Sequence, residues 1–231
     1  MSIQDPFTDL EIVTQDSGFY EGHSMPIALI SKITMIGLVL WAIIWPVSAT
    51  ETLDAWNWAT LLGFNTFYII AVGFFAFFLF ALAILPVGKL KSGGVDTLPE
   101  FSTFSWFAMM FGAGLGVGLM VFAVAEPVSL WGSNPITVVQ EAVPNSPEAV
   151  QTSFRYTFLH FGFHAWSIYV VTGLCLAYFA YTRDMPLTIR TALTPVLGRY
   201  ANGFIGHFID ILGVIATILG VAVTIGYGVS Q

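Results

Sequence analysis

Long apolar runs alternate with short polar joints along this chain, and five of the runs are long enough to cross a membrane. A helix needs about 20 apolar residues to span roughly 30 Å of hydrocarbon. The runs cover 26–48, 63–87, 103–131, 156–181 and about 204–231. Residues 49–62, with Glu51 and Asp54, read as the loop between the first two. Segment 186–199, "PLTIRTALTPVLGR", is too short and polar to span and predicts a short helix lying in the interface. Lys32, near the start of the first run, can snorkel to the membrane surface.

Composition agrees with this pattern. Charged residues make up 9% of the 231 positions, against about 25% in a soluble domain, and mean hydropathy is +0.80. The net charge of −7 lacks the basic footprint of a nucleic-acid binder. Residues 1–25 hold Asp5, Asp9, Glu11, Asp16 and Glu21 with no Lys or Arg, so they read as an acidic, mobile tail and not a secretory signal. Lys89 and Lys91 in 88–102, with Arg183, Arg190 and Arg199 in 182–203, mark those loops as cytoplasmic. The tail then lies in the cytoplasm too, and the chain ends outside. The odd span number and the apolar ending "GVAVTIGYGVSQ" make the sequence read as cut off. Cys175, the one cysteine, leaves no intrachain disulfide and reads as a packing residue.

The third run carries Gly112, Gly114, Gly116 and Gly118 at alternate positions. Each costs a helix roughly 1 kcal/mol relative to alanine. Gly112/Gly116 and Gly114/Gly118 both have the G-x-x-x-G spacing that lets helices approach closely. Residues two apart lie about 200° apart around a helix, however, so the pairs occupy nearly opposite faces. One packing face explains one pair. An unwound segment explains all four, and it frees N–H and C=O groups as ligands where the backbone lines a cavity. No phosphate-binding glycine pattern fits.

Other polar groups sit in the spans. Glu126 is either an interfacial carboxylate that water reaches or one with a cavity or partner, and Pro127 should bend or end the helix after it. His160 and His164, four apart, fall on one helical face. They could ligate a metal or haem, or they are hydrogen-bonded interior histidines. Phe161, Trp166 and Tyr169 do not form one tight stripe. They are ordinary aromatic packing, or part of a box for an onium cation, which has no N–H and is held by charge or ring faces worth about 0.5–2 kcal/mol each. Thr217 and Thr224, seven apart on the fifth run below Asp210, could offer hydroxyl oxygens to Na⁺ or bond their own helix backbone.

"GAGLGVGLMVFAVAEP", "FLHFGFHAWSIYVVTGLCLAYF", "MPLTIRTALTPVLG" and "NGFIGHFIDILGVIATILGVAVTIGYGVSQ" together resemble the betaine/carnitine/choline transporter family, over roughly 28–231. The resemblance implies an all-α integral membrane protein with the LeuT-like inverted-repeat fold, of which about five transmembrane helices are present. Residues 26–87 would be two helices outside the repeat, and 103–231 the first three helices of the first repeat, incomplete in this chain. It implies that Gly114, Leu115, Gly116 and Gly118 line the solute site, with Phe161, Trp166 and Tyr169 as box aromatics. Phe161 stands where the family usually has Trp. Carbonyls at Gly112 and Leu115, and the hydroxyls of Thr217 and Thr224, would serve sodium. Val221 stands where sodium-coupled betaine carriers have a second Thr. Gly118 stands where choline carriers tend to have Asp, which favours a zwitterion.

The function so implied is secondary import of glycine betaine, or a similar quaternary ammonium or sulfonium zwitterion, coupled to Na⁺. The protein would be no enzyme and need no cofactor beyond that ion. It would sit in the bacterial cytoplasmic membrane, as a homotrimer by family resemblance. The alternatives are a choline or carnitine carrier with proton coupling or sodium-independent exchange, and a haem-binding membrane redox protein using His160 and His164.

Overall fold

The computed structural model describes residue 10 and residues 12–94, 96–114 and 116–230. Among them the structure is helical: α1 Met25–Ile44, α2 Pro46–Ile84, α3 Thr103–Gly114, α4 Val117–Gly132, α5 Pro135–Val138, α6 Pro147–Phe161, α7 Phe163–Ala177, α8 Ile189–Leu197 and α9 Phe204–Ser230. A π-helical turn, Tyr178–Thr182, prolongs α7. Among the described residues, four stretches are long and apolar enough to cross a membrane: Met25–Ile44, Pro46–Ile84, Pro147–Thr182 and Phe204–Ser230. The protein is an all-α integral membrane protein.

The described residues fall into two compact units. One comprises Met1–Ala71, Leu90–Gly94 and Val171–Leu219, the other Val72–Lys89, Val95–Val170 and Gly220–Gln231.

Two expectations change. Residues 49–62 are not a loop but belong to α2, which starts at Pro46 directly after Trp45. Proline's fixed φ suits a first helical position. The polar residues Glu51 and Asp54 interrupt the apolar run without opposing helix, and the resulting 39 residues reach about 58 Å. Of the two outcomes open to Pro127, bending or ending its helix, the second does not occur, since α4 continues to Gly132. The described part of the acidic tail is also folded. Gly18 and Gly22 take positive φ of 90° and 73°, and the chain doubles back so that Gln15 and His23 bond through their backbones at 3.1 Å. Lys32 donates to the Tyr20 hydroxyl at 3.1 Å and lies 4.3 Å from that ring's centre.

The interior is the reverse of a soluble protein's. Ile69 and Phe77 are more than 70% exposed, while Ser31, Ser153, Thr157, Ser167, Arg190, Thr191 and Asp210 are buried. Lipid solvates apolar side chains as well as a protein core does, so small and polar residues take the helix contacts. In the first unit, Leu10 joins Phe179, Met185 and Ala201 in a small apolar core. In the second, α6 packs on α4 and α5, with Ala149, Ser153 and Thr157 buried at four-residue spacing. Asn134 staples these helices. Its Oδ1 accepts from the Ile136 and Thr137 amides, and its Nδ2 donates to the Leu130 carbonyl at 2.7 Å.

Candidate functional site

The glycine run is where the third span breaks. Gly112 lies inside α3, Gly114 closes it, and Gly116 is the N-cap of α4 with φ −58° and ψ 164°, an extended conformation. Gly118 is the second residue of α4, and Leu115 lies outside the described residues. An N-cap glycine has no side chain to satisfy the first amides of the helix. The N-cap makes no side-chain bond to them, and a helix start of this kind can hold an anion. The Gly116 carbonyl already accepts from Met120 N at 3.3 Å.

A second break divides the fourth span, and sequence periodicity did not predict it. Gly162 leaves the helix with φ −89° and ψ −149°, and a Cβ there would collide with the Phe158 carbonyl oxygen. His160 and Phe161 therefore end α6, while His164, Trp166 and Tyr169 belong to α7. This corrects the expectation that the two histidines share one helical face. Among the described residues, no three His, Cys, Asp or Glu side chains gather to hold a metal ion.

The three predicted aromatics fall into two groups. Trp166 and Tyr169 lie with ring centres 5.5 Å apart. Phe161 instead stacks on Phe122 of α4, at 5.9 Å and 26° between planes. Phe122 in turn meets Tyr227 of α9 edge-on at 5.2 Å. Neither Phe122 nor Tyr227 carried a signal in the sequence beyond being aromatic. Serine 167 anchors α7: its hydroxyl donates to the His164 carbonyl at 2.6 Å, with the Val72 carbonyl of α2 at 3.4 Å.

Glu126 and His160 were read separately, and the structure joins them. His160 Nδ1 lies 2.6 Å from Glu126 Oε1. The carboxylate side chain is 18% exposed and the imidazole 65%. Of the two alternatives for Glu126, the structure supports the one with a partner.

Thr217 and Thr224 donate to the carbonyls one turn back, Gly213 at 2.8 Å and Gly220 at 3.1 Å. That is the backbone-bonded alternative, yet a donating hydroxyl keeps lone pairs that can still face a cation. Thr217 also lines a cavity of about 730 Å³ within the first unit, with Ile27, Ser31, Lys32, Asp210 and Val214. Ser31 Oγ is buried there without a hydrogen-bond partner among the described residues.

Asp210 of that cavity lining belongs to a buried ion pair. Arg190, in the first turn of α8, is fully buried, and its Nε donates to Asp210 Oδ2 at 2.5 Å. Its backbone amide donates to Oδ1 at 3.1 Å and its Nη1 to the Ala201 carbonyl at 3.3 Å. Arg190 was predicted only as a topological charge. Its partner lies 20 residues on, beyond any helical spacing.

Known proteins resemble this sequence. A family model described as "BCCT, betaine/carnitine/choline family transporter" matches residues 26–231. The chain is 41% identical over 202 residues to the "Probable glycine betaine transporter" of Desulfitobacterium hafniense (strain Y51), covering 87% of this chain and 40% of that protein. It is 41% identical over 208 residues to the "Glycine betaine transporter" of Acinetobacter baylyi, covering 89% and 31%. It is 42% identical over 168 residues to the "High-affinity choline transport protein" of Escherichia coli (strain K12), covering 73% and 24%. The chain thus spans no more than 40% of the length of these relatives. With broken apolar helices, an inside-out interior and a match over nearly its whole length, the chain belongs to the betaine/carnitine/choline transporter family, a family of transporters and not of enzymes.

Proposed function

We propose that this chain builds part of a secondary transporter that imports glycine betaine or a similar zwitterionic onium solute, driven by sodium. The observation that carries the reading is the break of the third span between Gly114 and Val117. It exposes backbone polar groups at membrane depth, in the same compact unit as Phe161, Trp166 and Tyr169. Unwound backbone between half-helices is how a transporter offers ligands near the midplane. An onium group has no N–H, so rings and not hydrogen bonds would hold it, and the solute's carboxylate would meet the free amides at the start of α4. Gly118 supplies no counter-charge for a bare cation, which favours betaine over choline. The names of the relatives from D. hafniense and A. baylyi point the same way.

Within this reading, residues 26–87 stand outside the repeat and 103–231 supply the first three helices of a LeuT-like repeat. The Gly112 and Leu115 carbonyls serve one sodium ion, and the hydroxyls of Thr217 and Thr224 are the oxygen donors of α9. The protein sits in the bacterial cytoplasmic membrane with residues 88–102 and 182–203 inside, and assembles as a homotrimer.

The test is radiolabelled glycine betaine binding to the purified chain in lipid nanodiscs, in NaCl and in KCl, with Trp166→Ala as control. Saturable binding that needs Na⁺ and is lost in the variant is expected. Binding indifferent to Na⁺ refutes sodium coupling, and stronger binding of choline than of betaine refutes the zwitterion.

A further inference from the structure

We propose that Glu126 and His160 form a latch that positions the Phe161 ring for the solute. Phe122 and Glu126 lie one turn apart on α4, and His160 and Phe161 are the last two residues of α6. The two helices are joined there by two adjacent rungs. One is the Glu126–His160 hydrogen bond at 2.6 Å; the other is the Phe122–Phe161 stack at 5.9 Å.

The break makes the latch necessary. Gly162 follows Phe161, and its conformation takes the chain out of α6, so helical continuity with α7 cannot hold the Phe161 ring in place. What fixes the end of α6 on this side is α4. A stack between two phenylalanines contributes modestly and tolerates sliding, whereas a charge-assisted hydrogen bond is short and directional. Glu126 is the only ionisable residue of α4, and its contact with His160 is direct. The latch also ties Phe161 to the helix that begins at Gly116. A shift of α4 on filling the glycine break would therefore move the ring.

The role in solute binding rests on the function proposed above, but the position of the ring can be read without any solute. The test places 4-fluorophenylalanine at position 161 of the whole chain in nanodiscs and records its ¹⁹F resonance, alongside glycine betaine titrations. Glu126→Ala and His160→Ala are each expected to shift the resonance and to weaken betaine binding about tenfold, the size of one charge-assisted hydrogen bond. The double variant should be no worse than either alone. Glu126→Gln, which keeps an acceptor but loses the charge, should restore both readouts in part. Phe122→Leu, which leaves both latch groups intact, should shift the same resonance. An unmoved resonance in Glu126→Ala overturns the latch. A moved resonance with unchanged betaine affinity overturns its role in binding. If the unmodified chain binds no betaine, the proposed function fails, while the resonance still decides whether the pair positions the ring.

Discussion

Removing the Asp210 carboxylate should unfold this protein's first unit more effectively than removing the whole ion pair. In Asp210→Ala the Arg190 guanidinium stays at 0% exposure. It loses its Nε partner, and the Ala201 carbonyl on Nη1 becomes its one remaining acceptor, because Nη2 has none. The Arg190 backbone amide at the start of α8 loses its acceptor as well. Leaving one member of a buried pair uncompensated costs about 3–5 kcal/mol. The double replacement Arg190→Met with Asp210→Leu removes both buried charges and fills similar volume but still leaves the Arg190 amide without its acceptor, so its expected cost is about 1–3 kcal/mol, below that of the single variant. The assay is reversible unfolding in mixed micelles, followed by circular dichroism across an SDS titration. The telling quantity is the order of the two variants. If Asp210→Ala costs less than about 1 kcal/mol, the guanidinium is not sealed from water. If the double variant is as damaged as the single one, the pair acts through shape and not through charge.

Two further outcomes follow from single atoms. Gly162→Ala should lower the unfolding midpoint, because the new Cβ meets the Phe158 carbonyl oxygen; a gain of stability, approaching the roughly 1 kcal/mol that alanine has over glycine within a helix, would mean that α6 and α7 can fuse and that the break is not required. Ser31→Ala should be neutral or stabilising by up to about 1 kcal/mol, since its buried hydroxyl has no partner; a loss of similar size in the same SDS titration would show that the oxygen is bonded in the membrane.

What could be read from the sequence was what is local. The break between Gly114 and Val117 was legible because four glycines at alternate positions cannot all serve one packing face, and the conflict pointed to non-helical backbone. The short helix within 186–199 was legible from its length and polarity. Residues 49–62 were misassigned for a related reason. Hydropathy reports where a chain is apolar enough to enter lipid, and a helix such as α2 runs on past the lipid as long as its residues permit. Gly162 was hidden because a single glycine inside an apolar run is common in membrane helices. Its effect comes from the Phe158 carbonyl folding back onto it, which no spacing rule encodes.

The polar pairs show why the rest was out of reach. In a soluble protein, burial is announced by apolar periodicity, because water drives the apolar face inward. In lipid that driving force is absent between helices, so Ser, Thr, Asn, Arg and Asp take many of the buried positions, and most of the apolar pattern marks the outside. Each buried polar group then needs a partner or pays for its desolvation, and that requirement alone predicts pairing for Arg190 and Asp210; for Glu126 and His160, which are less buried, it predicts less. It cannot choose the partners, since the pairs span 34 and 20 residues and depend on where the helices break. The two breaks therefore decide more than the shape of the backbone. By ending α6 at Phe161, Gly162 sets His160 opposite Glu126. By ending α3 at Gly114, the glycine run sets the start of the helix on which Glu126 and Phe122 stand one turn apart. Substituting either glycine region should for this reason disturb the polar pair as well as the backbone next to it.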